Sequence, residues 1–141
     1  MSTPIIKFES KKQLEECLEW WKSKLFLNDW IIHVNYIAFH LPPLNNVDMG
    51  NCNAYYVNKC ALITLADYNT LPKDCIMTLC DEKVLIHELL HIIYPVYSQN
   101  SYEAFALEQI THSTLEQMAK TLLMVKYNLS FEWFDRKLKE D

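Results

Sequence analysis

VLIHELLHII, residues 84–93, sets two histidines and a glutamate among seven Val, Leu and Ile residues. On a helix, His87 and His91 differ by about 40° around the axis and project from one face. Burying such groups without partners would cost several kcal/mol. A metal ion removes that cost, because two imidazoles four residues apart can reach one cation at about 2.0–2.1 Å. Glu88 projects beside the ion rather than onto it, where it can take a proton from a water bound there. The apolar residues surround the helix, so it is expected to be buried on most sides.

Working outward, Thr78 is placed to cap this helix, with Asp81 and Glu82 in its first turn, where the helix dipole favours negative charge. Pro95 ends it near Tyr94. On the N-terminal side, Ser10 and Gln13 form a capping box, and Leu14, Cys17, Leu18, Trp21 and Leu25 predict an amphipathic helix over 11–25. Alternation from Trp30 to Ala38 predicts a strand. Residues 42–53, PPLNNVDMGNCN, are turn-rich and read as a loop. Strands are expected at 54–57 and 60–66, then an irregular segment over 67–77. Past the central helix, Ser101 begins a long helix reaching about Tyr127, with a core stripe of Leu107, Ile110, Thr114, Met118, Leu122 and Val125. Ser130 caps a short last helix carrying Phe134 and Leu138. Helix, then strands, then helices predicts an α+β fold, one domain over residues 1–141.

Composition narrows the function. Half of the 141 residues are hydrophobic, enough for a core, and the formal charge is −5 with Lys and Arg scattered. Nucleic acid is therefore not expected as a partner, since phosphate binding needs a basic stripe. A single glycine, Gly50, excludes every glycine-rich phosphate loop. No run of about 18 apolar residues predicts a membrane span. Five cysteines and no leader-like N-terminus point to reduced thiols and a cytoplasmic setting. Cys75 and Cys80 have a loose ligand spacing, but no second pair follows.

VLIHELLHII resembles the zincin metallopeptidase signature: Val before the first His, uncharged residues between the histidines and hydrophobics after the second. Gly and His are missing from the positions that the metzincin branch requires. The gluzincin branch takes a third ligand from a Glu on the following helix. Glu103-Ala-Phe-Ala resembles the E-G-F-A run of some gluzincin aminopeptidases. Glu108 stands five residues on, about 140° around the helix, so the two cannot face one ion together. Periodicity does not choose between them; the resemblance favours Glu103, and His112 is a further alternative. Only eleven residues separate His91 from Glu103, a spacing similar to that of very small gluzincin-like proteins of bacteria and phages.

The resemblance implies a small zincin-like domain: an N-terminal helix, a mostly antiparallel sheet of about three strands, the HExxH helix, a long Glu-bearing helix and a C-terminal helix. It implies one Zn2+ per chain on His87, His91 and Glu103, with Glu88 activating a zinc-bound water to hydrolyse a protein or peptide. It also implies an edge strand near residues 61–66 that pairs with extended substrate. The competing expectation is a non-catalytic binding or regulatory protein with a structural zinc site, closed by a fourth ligand such as Cys75, Cys80 or His112.

Overall fold

A computed structural model describes residues 3–77, 79–95 and 102–134. Helix α1 (Lys11–Lys24) begins as the capping box predicts, with the Ser10 hydroxyl accepting from the Gln13 N–H at 3.1 Å. Its apolar face buries Leu14, Cys17, Leu18 and Trp21. Three strands follow, β1 (Ile31–Ala38), β2 (Gly50–Tyr55) and β3 (Cys60–Asp67), then helices α2 (Asp81–Ile93) and α3 (Tyr102–Tyr127). Residues 132–134 are helical, and Phe134 is buried; the rest of the expected last helix, including Leu138, lies outside the described residues. The architecture is α+β.

The sheet has the order β1-β3-β2 and is mixed rather than mostly antiparallel. β1 pairs with β3 in parallel, Ile31 opposite Cys60 through Ala38 opposite Asp67, while β2 pairs with β3 antiparallel. The chain leaves β1, crosses through residues 39–49 to the far edge, and returns to the centre through the tight turn at 56–59. That hairpin forces β3 to run alongside β1 in the same direction.

β2 is the first departure from the sequence reading. It occupies Gly50–Tyr55, most of it inside the stretch expected to be a loop, and takes in only the first two residues of the expected 54–57 strand. GNCNAY has little strand propensity, but its alternate residues Gly50, Cys52 and Ala54 stand opposite Leu65, Ile63 and Ala61, on the face turned to α2. Small side chains there permit close packing, and packing overrides propensity in strands.

α2 lies across the inner face of the sheet. Leu85, Ile86, Leu89 and Leu90 are at most 1% exposed and pack with Ile63, Leu65 and Trp21. Complete burial of each such side chain contributes about 1.5–3 kcal/mol. The expected cap, Thr78, lies outside the described residues; Cys80 occupies the N-cap position without a side-chain cap bond. The extended N-terminal segment satisfies the helix instead, with the Asp81 and Glu82 N–H groups donating to the Ile6 and Ile5 carbonyls at 2.8 and 3.0 Å. The acidic pair answers in kind. Asp81 accepts from the Phe8 N–H and the Tyr36 hydroxyl, and Glu82 from the Ile5 N–H, Trp21 Nε1, Lys126 Nζ and the Tyr127 hydroxyl. Two buried carboxylates thereby lock the start of α2 to the N-terminus, α1, β1 and α3.

α3 packs on α2 with a face other than the expected one. Leu115, Ala119 and Leu123 are buried, whereas Leu107, Ile110 and Val125 are 64%, 64% and 77% exposed. Met118 and Leu122 pack only at the flank of the core. The buried residues share a stripe about 100° wide with Glu108, His112 and Glu116. Polar residues interrupt that stripe, so apolar periodicity alone points to the wrong side. The expected cap, Ser101, lies outside the described residues. No helix among the described residues is long and apolar enough to cross a membrane.

Candidate metal centre

A cleft runs between β2, α2 and α3, and the HELLH turn of α2 forms its floor. Four-residue spacing puts His87 and His91 on one side of α2, with ring centroids 4.9 Å apart. α3 adds a third imidazole. His112 stacks on His87 at 5.8 Å and meets His91 edge-on at 4.7 Å. One nitrogen from each ring lies within 4.8 Å of the others. Closing all three onto an ion at about 2.1 Å needs side-chain shifts of about an ångström.

The structure thus sets His112, rather than Glu103, beside the pair. Glu103 is exposed in the first turn of α3, nine residues before His112 and so about 13 Å away along the axis. Glu108 is nearer; its carboxylate lies 3.9 Å from His112 Nε2. Neither Cys75 nor Cys80 joins the imidazoles, and Cys80 is fully buried at the opposite end of α2.

The electrostatics suit a cation. Burial, reinforced by the charges of His87 and His112, lowers the His91 pKa to about 4, so at neutral pH the ring is a free base with a lone pair to offer. His87 Nδ1 lies 3.1 Å from Glu116 Oε1, while Glu116 Oε2 accepts from Lys83 Nζ at 2.6 Å. Burial opposes ionisation of Glu116, but His87 and Lys83 outweigh it and bring its pKa down to about 2. Opposite an ionised Glu116, His87 Nδ1–H donates, and Nε2 is the ring nitrogen outside that bond. Carboxylates orient metal-binding histidines in this way.

Glu88 is 5% exposed and lines the cleft, and its carboxylate makes no hydrogen bond among the described residues. Burial first, then the charges of Asp48 and Glu116, push its pKa up to about 8. Its oxygens open onto the cleft, where a cation or a water can meet them. Three converging imidazoles beside such a carboxylate could hold a metal ion that takes imidazole nitrogen as donor.

Asp48 and Glu116 went unnoticed in the sequence. Asp48 lines the cleft from the segment before β2, and its charge acts on His87, His112 and Glu88. Nothing in the turn-rich PPLNNVDMGNCN singles it out. Glu116 had a signal: Glu108, His112 and Glu116 recur every four residues, a polar stripe in line with the buried face of α3.

No protein-family model, curated protein or solved structure matches this chain. The case for its function therefore rests on the site.

Proposed function

We propose that the chain is a zinc-dependent peptidase whose ion is held by His87, His91 and His112, with Glu88 as the catalytic base. The observation that carries this reading is the joint placement of three imidazoles and the Glu88 carboxylate on one cleft. Zinc held there would supply Lewis acidity to a water and to the substrate carbonyl.

The chain's own groups do the rest. Beside a dication the Glu88 carboxylate is favoured in its ionised form, and it can then accept a proton from a water in the cleft. As its acid, Glu88 returns that proton to the departing amine. Glu116 keeps the Nδ1 proton on His87 and so aims Nε2 at the cluster, and Lys83 keeps Glu116 ionised. Peptide substrates are favoured because β2 is an edge strand lining the cleft, where an extended chain can add. The strand expected in that role, residues 61–66, lies in β3, which is paired on both sides at the sheet centre.

Elemental analysis of the wild type, His87→Ala and Glu88→Gln, run beside cleavage of fluorescently labelled casein, tests the reading. We expect close to one zinc per chain in the wild type and Glu88→Gln, none in His87→Ala, and cleavage by the wild type alone. Zinc bound with no cleavage of any peptide tested would indicate a non-catalytic zinc protein. A wild type that stays folded and takes up no zinc would refute the metal site.

A further inference from the structure

The single glycine of the chain opens β2 beside the site, at Gly50. Its backbone gives no reason for glycine, because its φ is not in the left-handed region. Glycine within a strand weakens it, and often marks a close approach. A close approach is what the structure shows. A Cβ built on Gly50 would stand 2.6 Å from Val84 Cγ1, 3.0 Å from Glu88 Oε2 and 3.2 Å from Glu88 Cγ. Two of those three atoms belong to the side chain on which the proposed chemistry depends. No hydrogen bond among the described residues fixes the Glu88 carboxylate, so contact has to locate it. Its Oε2 and Cγ occupy the space that a side chain at Gly50 would need.

We infer that Gly50 is a positioning residue for Glu88: the missing side chain at the start of β2 makes the space that the Glu88 carboxylate occupies beside the histidine cluster. This rests on the peptidase reading for its meaning, but the packing relation stands apart from it. Val84 is a stiff, buried β-branched residue with little room to yield. An added methyl group therefore displaces either β2 or the Glu88 side chain. The three atoms nearest that methyl position belong to Val84 and Glu88, and none to His87, His91 or His112, so the strain falls first on those two side chains.

The experiment uses Gly50→Ala, Val84→Ala, Glu88→Ala, Gly50→Ala/Val84→Ala and Gly50→Ala/Glu88→Ala. In the Val84 double variant the strand clash is relieved and the Glu88 contacts remain. Cobalt(II)-loaded proteins give the first readout, their visible bands reporting the surroundings of the ion. Gly50→Ala/Val84→Ala should bind cobalt within threefold of the wild type yet show bands displaced toward those of Glu88→Ala. Val84→Ala alone should keep the wild-type bands. Wild-type bands in Gly50→Ala/Val84→Ala would overturn the inference, leaving Gly50 a packing residue only.

Urea unfolding of the metal-free proteins gives a second readout that needs no metal. Removing the Glu88 side chain should recover part of the midpoint lost in Gly50→Ala, so the two changes are non-additive. Strict additivity would overturn the inference. If the wild type bound no cobalt, the metal reading would fail on its own, and the urea cycle would still decide the role of Gly50.

Discussion

Removing the His112 imidazole tests the third ligand most directly, because sequence resemblance favours Glu103 and the geometry favours His112. Three nitrogens converge to within 4.8 Å, and the third comes from α3. Structural zinc sites with four ligands bind with about 10–16 kcal/mol, or roughly 3 kcal/mol per ligand. His112→Ala should therefore weaken zinc binding by about a hundredfold or more, at 1.4 kcal/mol per tenfold. The His112 side chain is 43% exposed, so its loss should cost the fold little and the metal-free protein should unfold close to the wild type. Glu103→Ala, at an exposed position about 13 Å along α3, should leave affinity within twofold. Competition titrations against a chromophoric chelator resolve these differences. A large loss in Glu103→Ala with wild-type affinity in His112→Ala would show that α3 is rotated or shifted relative to α2, and would refute the arrangement described above.

Glu116→Gln should keep the fold and lose 10–100-fold in zinc affinity, the usual effect of deleting a carboxylate that orients a ligand, measured by the same titration. Glu82→Ala would strand four donors and should cost about 3–5 kcal/mol in urea unfolding. In the metal-free protein Glu88 has its pKa raised from 4.5 to about 8, so the folded state favours the protonated form. Its stabilising contribution is full below about pH 4.5 and is lost as pH rises through 8, at up to about 1.4 kcal/mol per unit; Glu88→Gln should flatten that part of the stability–pH curve. On α3, Leu115→Ala should cost about 2–5 kcal/mol, whereas Leu107→Ala should stay within about 0.5 kcal/mol; equal costs would contradict the observed register.

Local signals carried α1, β1, β3 and α2, because each is specified within its own few residues. Ser10 and Gln13 close a capping box, Ile32 and Val34 alternate with polar positions, and the HELLH spacing needs only helical geometry. Long-range effects hid the rest. β2 is a strand because β3 pairs with it and α2 packs on Gly50, Cys52 and Ala54, none of which can be read from GNCNAY. The parallel pairing of β1 and β3 follows from where the 39–49 segment delivers the chain, which no periodicity encodes. His87, His91 and Glu88 were legible as a motif, whereas the choice of third donor depended on how far α3 turns about its axis.

That turn also explains why a helix with good apolar residues exposes several of them. Were Leu107 and Ile110 swung inward, Glu108, His112 and Glu116 would face solvent, and Lys83 and His87 would lose their acceptor. Burying Leu115, Ala119 and Leu123 instead keeps a hydrophobic contact with α2 while holding His112 and Glu116 over the HELLH turn. The start of α2 is fixed independently, through Asp81 and Glu82 on residues 5–8, Trp21, Tyr36 and Tyr127. A site held to within fractions of an ångström needs its donors on rigid elements with supporting bonds behind them. Here α2 is anchored by buried carboxylates that never reach the cleft, and α3 leaves apolar residues exposed in its first turns while it carries His112 and Glu116 to the cleft. Replacing Glu108 and His112 together by leucine, with Glu116 kept as the acceptor of Lys83 and His87, should accordingly stabilise the metal-free protein while abolishing zinc uptake, measured by urea midpoint and elemental analysis. A double variant that is less stable than the wild type without metal would mean that these two polar residues support the fold rather than the site.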